Sequence, residues 1–376
     1  MRVLIGCGGT GGHIYPAISI ADALRCQIPD VEILFVGAKG GMEMNLIPAV
    51  GYSIKGIDIR GMPRGKWLKT IQWAYVVLKS IFQAWSICAL FKPNVVIGTG
   101  GYAAFPPLFA AYTKRIPTLI HEQNSKVGVA NQFLARYVTK ICLGYEEVTL
   151  SCPEEKIIAT GNPVRPYLHK ANLDKLDRQK VFQYFNLSPN KKCLLIMGGS
   201  QGAKELNKII LKKLSAFQQE DIQLVWITGN RYFEEINLDI STHPHAASIR
   251  CYPFLTKIEM AYAAADVFIA RAGALSIAEI CVAQKPSILV PSPNVTNDHQ
   301  TENALSLVYA GAALLLSESQ CPDLLMPFIL DLLKNQAKKT AMIQKMSPFA
   351  QLHAHALPTL VKEIITLASR QMHANP

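Results

Sequence analysis

The residues most suited to chemistry open the chain: Gly6-Cys7-Gly8-Gly9-Thr10-Gly11-Gly12-His13. The run follows the apolar residues 2–6 and leads into a helical pattern over residues 14–25. Glycine lets the backbone approach a bulky or anionic ligand, and a helix start offers unpaired N–H groups with a partial positive charge. A tight strand-to-helix turn without a ligand is the plainer alternative, and this density of glycine weighs against it. His13 closes the run with an imidazole, a group that titrates near ~6.5 when unshifted and can accept a proton at neutral pH.

Two more glycine loops follow apolar runs: Gly98-Thr99-Gly100-Gly101-Tyr102 and Gly198-Gly199-Ser200-Gln201-Gly202-Ala203. A further strand end reads Arg271-Ala272-Gly273-Ala274-Leu275-Ser276-Ile277-Ala278-Glu279. Gly273 suits a turn, Ala274 and Leu275 can present N–H groups, and the Glu279 carboxylate can accept two vicinal ribose hydroxyls. Without the preceding glycine turn, an exposed helix glutamate would be the better reading of Glu279. Polar clusters His121-Glu122-Gln123-Asn124 and Asn297-Asp298-His299-Gln300-Thr301-Glu302-Asn303 also lie where strands end. Strand C-termini face the crevice of an open α/β sheet, so two domains facing each other would gather the loops round one cleft.

Other chemistries fit less well. Gly6-x-Gly8-x-x-Gly11 satisfies the dinucleotide fingerprint, which asks for an acid about 20 residues on, at the end of the second strand. That strand ends Leu34-Phe35-Val36-Gly37-Ala38-Lys39, without an acid, so nicotinamide binding is discounted. Neither polar cluster has a metal-ligand spacing, and no metal is expected. The nine cysteines include no C-x-x-C pair, as expected of buried free thiols in a reducing compartment.

These loops need strands to carry them. Apolar runs at 2–6, 31–37, 94–98, 117–120 and 139–143, then at 193–197, 222–228, 267–270 and 287–290, alternate with helix-length segments. That is the pattern of parallel strands covered on both faces, and each half reads as its own doubly wound α/β sheet. A chain of 376 residues also exceeds one ordinary core. The break falls at Gly161-Asn162-Pro163-Val164-Arg165-Pro166, giving domains 1–163 and 164–346 and a helical segment 347–376 that closes the second domain or crosses back to the first.

Hydrophobic residues make up 50% of the chain and charged ones 17%, which excludes intrinsic disorder. A net charge of +11 calls for an anionic partner: nucleic acid, an anionic membrane or a phosphorylated substrate. Nucleic acid is the weakest of these, because no basic–aromatic interleaving or zinc-finger pattern appears. The N-terminus is too short an apolar run for a signal peptide. Residues 71–91 are long enough to span a bilayer but carry Lys79 near the centre, so an interfacial helix is expected, with a wholly buried helix as the alternative. Arg64, Lys66 and Lys69 beside it suit anionic lipid headgroups.

Taken in order, several motifs resemble the MurG family: Gly8-Gly9-Thr10-Gly11-Gly12-His13, Gly100-Gly101-Tyr102, His121-Glu122-Gln123-Asn124, Gly161-Asn162-Pro163-Val164-Arg165, Gly198 to Ala203, Gly273-Ala274-Leu275 with Glu279, and Asp298-His299-Gln300. Each is weak alone; the ordered set is specific. The resemblance implies a GT-B fold of two Rossmann-like domains with a deep interdomain cleft. The activity it implies is inverting, metal-independent transfer of N-acetylglucosamine from UDP-N-acetylglucosamine to an undecaprenyl-diphospho-muramoyl-pentapeptide in peptidoglycan synthesis. Donor contacts are implied for Thr10, Gly11, Gly12, His13, Asn124, Arg165, Ser200, Gln201, Leu255, Ala274, Leu275, Glu279 and Gln300. Acceptor contacts are implied for Tyr102, Asn124 and Asn131, and catalytic roles for His13, as candidate base, and Glu279. The family is peripheral on the cytoplasmic face of the bacterial plasma membrane, which adds anionic lipids and other cell-wall synthesis proteins as expected partners. The chain departs from the family at Ala103-Ala104-Phe105, where Ser-Gly-Pro is common, and at Thr301, where some members have glutamine. A transferase with a different acceptor and a non-catalytic nucleotide-sugar-binding scaffold are the competing readings.

Overall fold

The computed structural model describes residues 1–63, 67–199, 202–295 and 298–374. The chain divides into two compact units, Met1–Pro163 with His355–Pro376, and Val164–Ala354.

In the first unit the strands are β1 (Arg2–Gly6), β2 (Glu32–Ala38), β3 (Ser53–Ile57), β4 (Val95–Gly98), β5 (Thr118–Glu122), β6 (Lys140–Leu143) and β7 (Ile157–Ala159). They form one sheet in the order β3-β2-β1-β4-β5-β6-β7, with every pairing parallel. Strands are added outward in one direction from β1 to β3 and in the other from β4, so the switch point lies between β1 and β4. Gly6 is level with Gly98 in the register, and the first two glycine loops therefore leave the sheet side by side.

Alternation sorts the central strands' side chains. Val3, Ile5, Val95 and Ile97 join one core with Ile14, Ala17 and Leu24 of helix Gly11–Gln27 and with Leu360 and Ile364 of helix Ala356–Ala374. Helix Phe105–Thr113 packs close to the sheet. A Cβ on Gly98 would fall 2.3 Å from Leu108 Cδ1, so only glycine admits the helix at that distance.

The second unit contains β8 (Cys193–Met197), β9 (Gln223–Ile227), β10 (Ile249–Tyr252), β11 (Val267–Ala270), β12 (Ser287–Leu289) and β13 (Leu314–Leu315). Their order is β10-β9-β8-β11-β12-β13, again parallel throughout, with the switch point between β8 and β11. The loops after these two strands carry the third glycine run and the 271–279 motif.

Four strands went unpredicted, and all four are sheet edges: β3, β7, β10 and β13. An edge strand is covered less and needs no continuous apolar run; β3, with alternate residues partly or fully exposed, shows this. The expected boundary at 347 is also displaced. Residues 347–354 end helix Gln336–Ala354 in the second unit, and the return to the first begins at His355. Pro348 does not break that helix, because Met342, Met346 and Ala350 form a buried stripe across it.

Residues 71–91 lie in helix Trp67–Phe91, and the wholly buried alternative is excluded. Ser80, Ala84 and Cys88 are buried at helical spacing, while Ile71, Tyr75, Leu78, Phe82, Trp85 and Leu90 are exposed, Phe82 to 73%. Lys79 pairs with Asp58 at 2.9 Å, as does Lys39, and Gln83 donates to the same carboxylate at 2.7 Å. These contacts hold the Asp58 carboxyl well below its ordinary range and raise Lys79. The mid-helix charge is thus tied to the protein, and the apolar side is left facing outward.

Candidate functional site

In the first unit, His13 sits in the opening turn of helix Gly11–Gln27, after the exposed N-cap Thr10, the buried Gly11 and the exposed Gly12. Its Nδ1 lies 3.1 Å from Thr99 O and 3.0 Å from Gln123 Oε1, and the Thr99 hydroxyl donates to His13 O at 2.7 Å. The loops after β1, β4 and β5 therefore meet at one imidazole. Gln123 Nε2 lies 2.9 Å from His121 Nδ1, and His121 Nε2 lies 3.0 Å from Gly161 O. Burial pulls His121 down to about 4, so this side chain is neutral at physiological pH.

Glu43 is a residue the sequence reading missed. It is fully buried at the start of helix Glu43–Ala49, and its carboxylate accepts from Ala38 N at 2.8 Å and Gly9 N at 3.3 Å. An acid does follow β2, five residues after Ala38, but it is spent on the protein's own glycine loop rather than presented to a ribose. The only available signal was an acid in the first turn of a short helix pattern, which many exposed residues share.

Tyr102 lies against the same loop, its Cε1 3.3 Å from the place of a Cβ on Gly9. Asn124 and Asn131 are both organised by buried Glu122. One of its oxygens accepts from Asn124 N and Nδ2, each at 3.1 Å; the other accepts from Gly128 N and Asn131 Nδ2, each at 2.9 Å. Glu122 was visible in sequence only as part of a polar cluster, with no role of its own.

In the second unit, Arg165 donates to Glu279 Oε1 at 2.9 Å, and Tyr262 OH donates to Glu279 Oε2 at 3.1 Å. Burial and the Glu279 carboxylate hold the Tyr262 phenol well above its ordinary range, so it stays a donor. Glu279 lies on helix Ala274–Ala283, whose N-cap Gly273 supplies no side-chain cap. The N–H groups of Ala274 and Leu275 thus lack intrahelical acceptors. Arg271 anchors the preceding loop by donating to Val290 O and Pro291 O, both at 3.0 Å, and by pairing with Glu318.

Gln300 accepts from Ser292 N at 2.8 Å through Oε1 and so braces the loop after β12. The Leu255 side chain is buried in the core of the second unit. Ser200 and Gln201 lie outside the described residues, as do Arg64 and Lys66. Among the described residues, no three His, Cys, Asp or Glu side chains are gathered to hold a metal ion, and all nine cysteines are free.

Two doubly wound parallel units, each with glycine-bearing loops at its switch point, define the GT-B fold class. Models of the glycosyltransferase family 28 N-terminal and C-terminal domains match residues 3–143 and 193–357. A relative from Amoebophilus asiaticus is 42% identical, over 97% of this chain and 100% of its own length. One from Christiangramia forsetii is 43% identical, over 97% and 96%. Both are named UDP-N-acetylglucosamine–N-acetylmuramyl-(pentapeptide) pyrophosphoryl-undecaprenol N-acetylglucosamine transferase. The crystal structure of Acinetobacter baumannii MurG superposes with a TM-score of 0.74 at 29% identity, covering 97% of this chain and 99% of that one. The chain belongs to glycosyltransferase family 28 and, within it, to the MurG family.

Proposed function

We propose that this enzyme transfers N-acetylglucosamine from UDP-N-acetylglucosamine to the C4 hydroxyl of the muramoyl residue in undecaprenyl-diphospho-MurNAc-pentapeptide, converting lipid I to lipid II in peptidoglycan synthesis. The observation that carries this reading is identity of 42% over nearly the full length of both chains to a transferase named for that reaction.

In this reading the acceptor C4 oxygen attacks the anomeric carbon, its proton passes to His13 Nε2, and the bond from that carbon to the UDP oxygen breaks with inversion. His13 is supported as the base by its place in the opening turn, with no partner to Nε2 among the described residues. Thr10, Gly11, Gly12, Tyr102 and Asn124 surround the acceptor and the reacting sugar, and the buried Asn131 supports the acceptor side through its bond to Glu122. The leaving diphosphate gathers charge, and helix-start N–H groups at Ala274 and Leu275 are suited to receive it. Ser200 and Gln201 share that task, and no metal takes part. Arg165 and Glu279 hold the uridine, with Leu255 backbone at the uracil and Gln300 at the sugar hydroxyls. The exposed apolar face of helix Trp67–Phe91 rests on the cytoplasmic leaflet among anionic lipids, next to the lipid-linked substrate.

The test is a transfer assay with a water-soluble acceptor analogue and a panel of UDP-sugars. Release of UDP that needs both UDP-N-acetylglucosamine and the acceptor is expected. Binding without acceptor-dependent release would favour a scaffold, and preference for another sugar or acceptor a different transferase. His13→Ala is expected to abolish transfer while UDP still binds. Glu279→Ala is expected to raise the donor KM by about tenfold or more.

A further inference from the structure

Hydrogen-bond chemistry allows the protons around His13 to be placed. Gln123 Nε2 lies 3.0 Å from His121 O, and a carbonyl can only accept. The amide NH2 therefore points at His121, and Oε1 is the atom 3.0 Å from His13 Nδ1. His13 Nδ1 then faces two acceptors, Gln123 Oε1 and Thr99 O, and the arrangement is satisfied only if Nδ1 carries the hydrogen. Neutral His13 is consequently the Nδ1–H tautomer, with its lone pair on Nε2.

The direction continues one residue further. His121 Nδ1 accepts from Gln123 Nε2, so its hydrogen is on Nε2, where it donates to Gly161 O. Burial keeps His121 neutral down to about 4, and it remains an acceptor for the amide. Gly100 and Gly101 lie against the His13 ring near Nδ1 and Cδ2, which limits its rotation.

We propose that Gln123 and His121 are positioning residues for the transfer: they hold His13 as the Nδ1–H tautomer and leave Nε2 as the atom that takes the acceptor proton. The proposal rests on the reading of His13 as the base. A hydrogen-bond partner on one ring nitrogen that fixes which nitrogen is protonated is a recurrent means of tuning a histidine.

The experiment is nitrogen NMR on the full chain labelled with 15N-histidine, with His13 assigned by its loss in His13→Ala, at a pH where its ring is neutral. A protonated Nδ1 and bare Nε2 are expected in the unaltered protein. In Gln123→Met, where Thr99 O alone remains, a mixture with the Nε2–H form is expected, with kcat reduced roughly tenfold and the donor KM unchanged. An Nε2–H ring in the unaltered protein would overturn the proposal. So would a Gln123→Met enzyme with unchanged tautomer populations and normal kcat. The ring's protonation is read without turnover. Normal turnover by His13→Ala beside an Nδ1–H spectrum would therefore remove His13 from the role of base while leaving the hydrogen-bond relay intact.

Discussion

Gly100 lies directly against His13: a Cβ built on the glycine would stand 2.7 Å from the imidazole Nδ1 and 2.9 Å from Cε1. Gly100 also has φ +101°, a conformation that L side chains rarely adopt. Gly100→Ala is expected to push the ring out of place as well as strain the loop. A misplacement of about 1 Å costs roughly a hundredfold in rate. UDP binding, measured by titration, is expected to survive, and a near-normal kcat would refute this role for the glycine.

Glu43 joins β2 to the first glycine loop, and its carboxylate fills the space above Gly8, Gly37 and Gly41. Glu43→Ala strands the N–H groups of Gly9 and Ala38. The expected loss is about 2–4 kcal/mol of stability, from two lost hydrogen bonds near a buried site. Glu43→Gln keeps one acceptor and should lose less. Urea denaturation of the two variants beside the parent checks both magnitude and order.

The pH dependence follows from His121, lowered from 6.5 to about 4 by burial. The unfolded chain takes up this proton first as pH falls, so the contribution of His121 is full above about 6.5 and is lost progressively down to about 4. The total is on the order of 3 kcal/mol. His121→Asn is expected to flatten the stability–pH curve between these limits. An unchanged slope would mean that other groups set it.

For the outward face of helix Trp67–Phe91, the paired change Leu78→Glu with Phe82→Glu removes two exposed apolar groups without touching the Lys79–Asp58 pair. Each such side chain is worth roughly 1.5–3 kcal/mol when fully buried. Sedimentation with phosphatidylglycerol vesicles is expected to fall at least about a hundredfold in partition. Turnover of a soluble acceptor should be unchanged. Equal binding by parent and variant would refute a membrane role for this face.

Much of this was legible in the residues. The glycine loops, the His13 turn and the Gly273 helix start are contiguous strand–loop–helix features, and local backbone requirements determine them. Central strands were legible because burial on both faces demands unbroken apolar runs, as in β1, β4 and β8. The edges β3, β7, β10 and β13 were not, because their partial covering relaxes that demand.

Only the tertiary structure decided which distant residues meet. His13 and Gln123 are 110 positions apart, Arg165 and Glu279 114, and Gly9 and Glu43 34. The first of these meetings depends on β4 lying beside β1 and β5 beside β4, an order that no local period encodes. The return of the chain at His355, rather than at 347, has the same origin: a buried stripe across Pro348 outweighs the local signal of a proline. Sequence by itself determined which groups could do chemistry and on what kind of loop. The packing of the sheets determined which carboxylate holds which loop, and which nitrogen of His13 is left bare.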